Sequence, residues 1–193
     1  PIRDKEIIDA ELQLKDLETV DARIQKVQKQ AQTGGDKQAK QIYEVLVKYK
    51  AALEQGLSAR TVTFDNKDDE KIARELFLLT AKPVLYVCNV DEASAATGNE
   101  YVERVREVAK QEGAEVLVIA AKIESEIAEF ETYEERQMFL SEIGLEESGV
   151  ARLIKSAYAL LRLKTYFTAG VQEVRAWTFH DGWKAPQCAG VIH

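Results

Sequence analysis

Asn89-Val90-Asp91-Glu92 follows an apolar, β-prone run, residues 84–88, that Pro83 opens. An amide followed by two carboxylates at the end of a buried strand can hold the edge of a planar ring. The amide both donates and accepts, and a carboxylate accepts from ring N–H groups. A second apolar run, residues 116–120, ends in Ala120-Ala121-Lys122-Ile123-Glu124. In an open α/β sheet, ligands bind beyond the carboxyl ends of the strands. Two such ends separated by one helix can wall a base between their loops. Taken alone, the first stretch also reads as a polar turn after a strand. Its pairing with the second loop at βαβ spacing is what favours a nucleotide.

Those two ends need a strand–helix–strand unit to bring them together. Thr97 and Glu100 form a capping-box pair, and the helix they start runs to Glu112 and stops at Gly113. Short loops and near-continuous apolar strands predict a parallel sheet. A helix is expected before the first strand, over residues 68–80, with Ile72, Leu76 and Leu79 on one side. Two more are expected over 133–142 and about 148–161.

The flanks have a different character. From Asp4, a possible N-cap, to Gln32 an apolar stripe of Leu14, Leu17, Val20, Ile24, Val27 and Ala31 recurs at mostly three- and four-residue spacing. Thr33-Gly34-Gly35-Asp36 ends that helix and starts another, striped by Ile42, Leu46, Tyr49 and Leu53. So short a turn makes the pair antiparallel, and the narrow stripe among charged faces predicts a coiled-coil arm projecting from a body. At the other end, residues 165–168 and 174–179 flank Ala169-Gly170 as a hairpin. Asp181-Gly182 turns the chain and Pro186 suits the first turn of a helix, an unfinished β-grasp-like unit. Three regions result: 1–57, 58–163 and 164–193.

Composition limits the alternatives. Hydrophobic residues are 46% of 193, enough for a packed core, and the net charge is −7. Residues 1–57 are neutral, with ten basic and ten acidic side chains, and residues 124–147 hold nine Glu against Arg136 alone. No basic field for nucleic acid follows, and DNA is not expected as a partner. No apolar stretch reaches the length of a membrane span and no signal peptide is expected. Cys88 and Cys188 have no metal spacing and fit a reducing, cytosolic setting.

Three stretches together, "PIRDKEIIDAELQLKDLETV", "PVLYVCNVDE" and "TYFTAGVQEVRAWTFHDGWKAPQCAGVIH", closely resemble the Obg-like ATPase (YchF) family of P-loop NTPases, in order and over essentially the whole chain. The resemblance implies an α/β fold. It comprises the C-terminal part of a nucleotide-binding domain with a parallel sheet, a helical hairpin insertion at 1–57, and the start of a TGS (β-grasp) domain at 164–193. It implies a cytoplasmic ATPase that binds ATP, or GTP, with magnesium. It also implies that the ribosome, its large subunit, and RNA are met by the coiled coil and TGS module. The family's phosphate loop, Gly-x4-Gly-Lys-Ser/Thr, has no match in this sequence. Phosphate and metal ligands are therefore expected outside it, and the 193 residues are read as a fragment inactive on their own.

The resemblance assigns roles to the two loops. Where related GTPases carry Asn-Lys-x-Asp, this chain has Asn89, Val90, Asp91 and Glu92. A carboxylate meets guanine N1–H and N2–H₂ but faces a lone pair at adenine N1, and the family's motif accompanies a preference for ATP. Asn89 is expected to fix the loop and meet the ring edge. Val90 is expected to pair with adenine through its main-chain N–H and C=O and to cover the ring with its side chain. Glu92 would act by not pairing with guanine, and Asp91 would be solvated. Ala120, Ala121 and Lys122 would form the other wall, Lys122 laying its stem along the ring.

Other conspicuous residues suggest little chemistry. His180 and His193 have no ligand cluster near them in sequence, and Trp177 suits edge packing. Trp183, after a turn, hints at a contact surface. Two other readings stay open: a GTP-binding factor of the same architecture, and a nucleotide-free module for RNA or protein.

Overall fold

The structure, a computed structural model, describes residues 1–32 and 36–192. Expectations for the turn at Thr33, Gly34 and Gly35 and for His193 lie outside the described residues. The chain forms two compact units, Pro1–Pro83 and Val84–His193.

In the first unit, α1 (Ile2–Gln32) and α2 (Lys37–Glu54) run antiparallel. Gln13 contacts Ser58, and further along α1 Asp21 pairs with Lys50 at 2.5 Å. Asp36 caps α2, its carboxylate accepting the Gln38 and Ala39 N–H groups at 3.0 Å. Asp4 does not cap α1, which already starts at Ile2; it lies in the first turn. Val20, Val45, Leu46, Tyr49 and Leu53 form the buried seam, with Leu17, Ile24, Val27 and Ile42 packed on it. Leu14, expected in that stripe, is exposed. The buried position beside it is Asp16, only 2% exposed.

Residues 58–83, which the sequence reading groups with the α/β part, pack in this unit. Ala59, Ala73, Leu76 and Leu78 join the same core. The third helix, α3 (Lys67–Glu75), stops well short of Thr80. The Asp16 carboxylate explains the early stop. It accepts the Leu79 N–H, the Thr80 N–H and the Thr80 hydroxyl, each at 2.7 Å, so these amides do not continue the helix. Phe77 turns the chain with φ 53°, and its ring is exposed.

The second unit is built on two sheets. Strands β1 (Leu85–Asn89) and β2 (Glu115–Ile119) pair in parallel, with Asn89 opposite Ile119. Both begin and end one residue away from the expected ranges. Between them, α4 (Glu100–Glu112) ends at Gly113, whose φ of 67° suits glycine. Asn99 caps α4, not Thr97: its side-chain oxygen accepts the Tyr101 and Val102 N–H groups at 3.1 Å. After β2 come α5 (Ala121–Glu129), α6 (Tyr133–Glu142) and α7 (Gly149–Leu160). The first of these occupies a stretch expected to begin as a loop.

Strands β3 (Leu163–Ala169) and β4 (Val174–His180) form the antiparallel hairpin, followed by α8 (Ala185–Ala189). Tyr166 donates from its hydroxyl to the Cys188 carbonyl at 2.9 Å, holding α8 against the hairpin. Trp177 donates to Thr168 at 2.8 Å, and the Arg175 guanidinium lies 4.2 Å from its ring centre. The indole is thus occupied by edge packing.

Candidate nucleotide-base site

The parallel register brings the ends of β1 and β2 level, and three links then hold residues 89–92 to residues 119–122. Val90 N–H donates to the Ile119 carbonyl at 2.9 Å, continuing the ladder by one bond. Ala121 N–H donates to Asn89 Oδ1 at 3.0 Å. The Lys122 ammonium pairs with the Glu92 carboxylate. Asp91 closes the turn, its carboxylate accepting the Ser94 N–H at 2.9 Å ahead of a single 3-10 turn, Glu92–Ser94. Asn89, Asp91, Glu92, Ala121 and Lys122 are all exposed, so the edge of this seam faces solvent.

Two expected roles change. Val90 cannot offer both main-chain groups to a ring, because its N–H already serves Ile119. Its half-buried side chain packs on the cluster of Ala95, Ala120, Ile123, Ile127 and Leu140, away from a free ring-covering position. Ala120 cannot wall a ligand with its side chain: it is 3% exposed, in that same cluster. The physical reason is the helix. Ile123 and Ile127, four residues apart, both face the core and draw Ala120 in with them. That spacing is legible in the sequence and is the signal for α5.

The electrostatics centre on Lys122. The Glu92 carboxylate, by hydrogen bond and charge, pushes the Lys122 ammonium above its ordinary value, with a smaller push from Glu126. In β1, burial pushes the Cys88 thiol up, opposed by the Arg106 charge. Both Cys88 and Cys188 are free thiols.

Sequence reasoning missed the residues that hold α5 in place. The Glu124 carboxylate accepts the Gly149 N–H at 2.6 Å and the Val150 N–H at 3.1 Å, at the start of α7. A carboxylate is favourable there because the first N–H groups of a helix lack partners and carry partial positive charge. Gly149 permits the approach. A Cβ at that position would stand 2.7 Å from Ile119 Cγ2 and 2.8 Å from Glu124 Oε1. Arg152 adds a bond from its guanidinium to the Val118 carbonyl at 2.8 Å. Thus β2, α5 and α7 lock together behind the seam.

Among the described residues, no group of three or more His, Cys, Asp or Glu is placed to hold a metal ion. No helix among them is long and apolar enough to cross a membrane. Surface grooves lined by Gln38, Gln41, Asp68, Lys71, Ile72 and Glu75, and by Gln137, Met138, Ser141 and Glu142, include none of the seam residues.

Comparison with known proteins gives concordant matches. The family model YchF-GTPase_C, "Protein of unknown function (DUF933)", matches residues 163–193. The chain is 55% identical over 195 residues to the ribosome-binding ATPase YchF of Bacillus subtilis, covering all of this chain and 52% of that protein. It is 39% identical over 197 residues to Obg-like ATPase 1 of Rattus norvegicus, covering all of this chain and 49% of that protein. The solved Schizosaccharomyces pombe YchF GTPase superposes with a TM-score of 0.87 at 31% identity, over all of this chain and 52% of that one. The chain thus spans about half the length of the curated relatives it matches. Identity along its whole length, a shared fold and the match at 163–193 agree, and the chain belongs to the YchF/Obg-like ATPase family.

Proposed function

We propose that this chain is the base-binding part of a ribosome-associated ATPase, with residues 89–92 and 119–122 forming the seam that receives an adenine. The observation that carries the reading is the threefold linkage of these loops at the carboxyl ends of β1 and β2. Relatives named ribosome-binding ATPase support it.

The seam suits adenine by its remaining groups. Asn89 uses Oδ1 on Ala121, so its Nδ2 donors are what it offers a ring, and purine N7 accepts. Val90 uses its N–H on Ile119, so its carbonyl is the main-chain group left for a base. Adenine presents an N6 amino donor where guanine presents the O6 acceptor. A carbonyl therefore matches adenine and opposes guanine. Lys122 and Ala121 flank the ring from the α5 side.

The rest of the reading concerns the full-length protein. Residues 1–57 serve as a coiled-coil insertion with residues 58–83 packed in the same unit, 84–163 as the C-terminal part of the nucleotide-binding domain, and 164–193 as the start of a TGS domain. The coiled coil and TGS module meet the ribosome and its RNA in the cytoplasm. Phosphates and magnesium are held by a segment outside these 193 residues, which alone hydrolyse no ATP. The solved relative is named a GTPase, which keeps guanine nucleotides as the second reading.

Calorimetric titration of ATP and GTP into the full-length protein tests the base assignment. Wild type is expected to bind ATP more tightly, and Val90→Lys with Glu92→Asp to shift the ratio toward GTP. A matched charged hydrogen bond contributes roughly 1.5–3 kcal/mol, about tenfold to a hundredfold in affinity. An unchanged ratio in the double variant would show that these side chains do not select the base.

A further inference from the structure

We propose that Lys122 is a specificity-positioning residue: by pairing with Glu92 across the mouth of the seam, it keeps that carboxylate from guanine. This rests on the adenine-site reading and adds to it the device that makes a carboxylate tolerable there. A glutamate at this place creates a problem. Its two oxygens accept hydrogen bonds, and guanine N1–H and N2–H₂ would supply donors to them. A free Glu92 would favour the wrong base.

The geometry supplies the answer. Glu92 opens the 3-10 turn that Asp91 caps, and Lys122 is the second residue of α5. The Val90–Ile119 and Asn89–Ala121 hydrogen bonds hold the two loops together one to three residues before the ion pair. The pair therefore closes an already aligned ladder. Glu126 adds negative charge on the same helix, and both carboxylates raise the affinity of Lys122 for its proton. Ser125 donates to the Lys122 carbonyl at 2.7 Å, fixing the first turn of α5. With Glu92 Oε1 engaged by the Lys122 ammonium, the carboxylate is drawn toward α5, and the Asn89 amide and the Val90 carbonyl are the groups that match adenine.

The pair is solvent-exposed, with side chains 71% and 47% accessible, so its influence is bounded. Exposed pairs typically contribute about 0.2–1 kcal/mol, which corresponds to a change of roughly 1.4- to fivefold. That is the size of the discrimination assigned to Lys122; the larger share stays with the Val90 carbonyl.

The test is titration of ATP and GTP into the full-length protein carrying Lys122→Met, Lys122→Arg, Glu92→Gln, or Lys122→Met with Glu92→Gln. Methionine keeps an apolar stem against the ring and removes only the charge. Lys122→Met should raise GTP affinity relative to ATP about 1.4- to fivefold. Lys122→Arg should retain the wild-type ratio. In the Glu92→Gln background, Lys122→Met should change the ratio no further. Raising salt should move the wild-type ratio toward that of Lys122→Met and leave the latter unmoved. Asn89→Ala is the control for the site itself. If it weakens both nucleotides while Lys122→Met leaves their ratio at the wild-type value, the Lys122 proposal is wrong and the base site stands. If Asn89→Ala changes neither nucleotide, both readings fall together.

Discussion

Asn89 Oδ1 accepts the Ala121 N–H at 3.0 Å, joining the last residue of β1 to the first residue of α5. That bond is one of three links between the two loops, and in the proposed base site the Asn89 Nδ2 donors are left for the ring. Asn89→Ala removes both functions, and Asn89→Asp removes only the donors. In the full-length protein, Asn89→Ala should weaken ATP and GTP alike by about tenfold or more, from the loss of ~1.5 kcal/mol per hydrogen bond. Asn89→Asp should weaken nucleotide binding while its melting temperature stays closer to wild type than that of Asn89→Ala. Calorimetry and thermal melting of both variants check this.

Gly149 separates packing from chemistry behind the seam. An alanine there meets Ile119 Cγ2 at 2.7 Å and Glu124 Oε1 at 2.8 Å. Overpacking of this kind costs about 1–3 kcal/mol. Gly149→Ala should lower the urea midpoint of the second unit, and the Glu124 carboxylate should lose its contact with the α7 N-terminus. Glu124→Gln, which keeps an acceptor oxygen, should be milder in the same denaturation experiment.

Asp16 has the corresponding role in the first unit. It is 2% exposed and accepts three hydrogen bonds, from Leu79 and from the amide and hydroxyl of Thr80. Asp16→Ala leaves those donors without their acceptor, at a cost of about 2–4 kcal/mol. Burial, and to a lesser extent the Asp16 charge, push the Tyr49 phenol up. Asp16→Ala should therefore also lower the Tyr49 titration midpoint, read by ultraviolet absorbance below the alkaline unfolding range. An unchanged denaturation midpoint would show that water replaces the carboxylate at no cost.

The elements carrying a strong period or stop signal were legible. Ile42, Leu46, Tyr49 and Leu53 are the α2 seam, and Gly113 ends α4 in the left-handed conformation. The parallel pair followed from two apolar runs around one helix. What escaped was set by contacts distant in sequence. Nothing near Asp16 announces that its carboxylate will capture amides at 79 and 80 and end α3 early. Thr97 fits the capping box by spacing, yet Asn99, two residues on, holds the first amides of α4. At the site, Asn89 and Lys122 are brought into one seam from sequence alone. The use of the Val90 N–H by Ile119 depends on the strand register, which sets Asn89 opposite Ile119.

Acidification should fray the start of α6. Thr132 and Glu135 form a capping box, the Glu135 carboxylate accepting the Thr132 N–H at 3.1 Å. Hydrogen bonds from the Thr132 amide and hydroxyl hold the Glu135 carboxyl below its ordinary value. A carboxyl lowered by folding stabilises above its unfolded pKa and loses that contribution as pH falls through the folded value. Amide exchange at residues 133–136 should thus speed up, relative to the intrinsic rate, as pH drops below the usual carboxylate range. Glu135→Gln should show the same protection at neutral and acidic pH.

Hydrogen–deuterium exchange of the full-length protein with and without saturating ATP locates the base directly. Slowed exchange is expected in peptides covering residues 85–95 and 117–125, with weaker protection by GTP and no change across β3 and β4. Tight ATP binding that leaves 85–95 and 117–125 unprotected would place the base elsewhere and contradict the assignment of Asn89, Val90, Glu92 and Lys122.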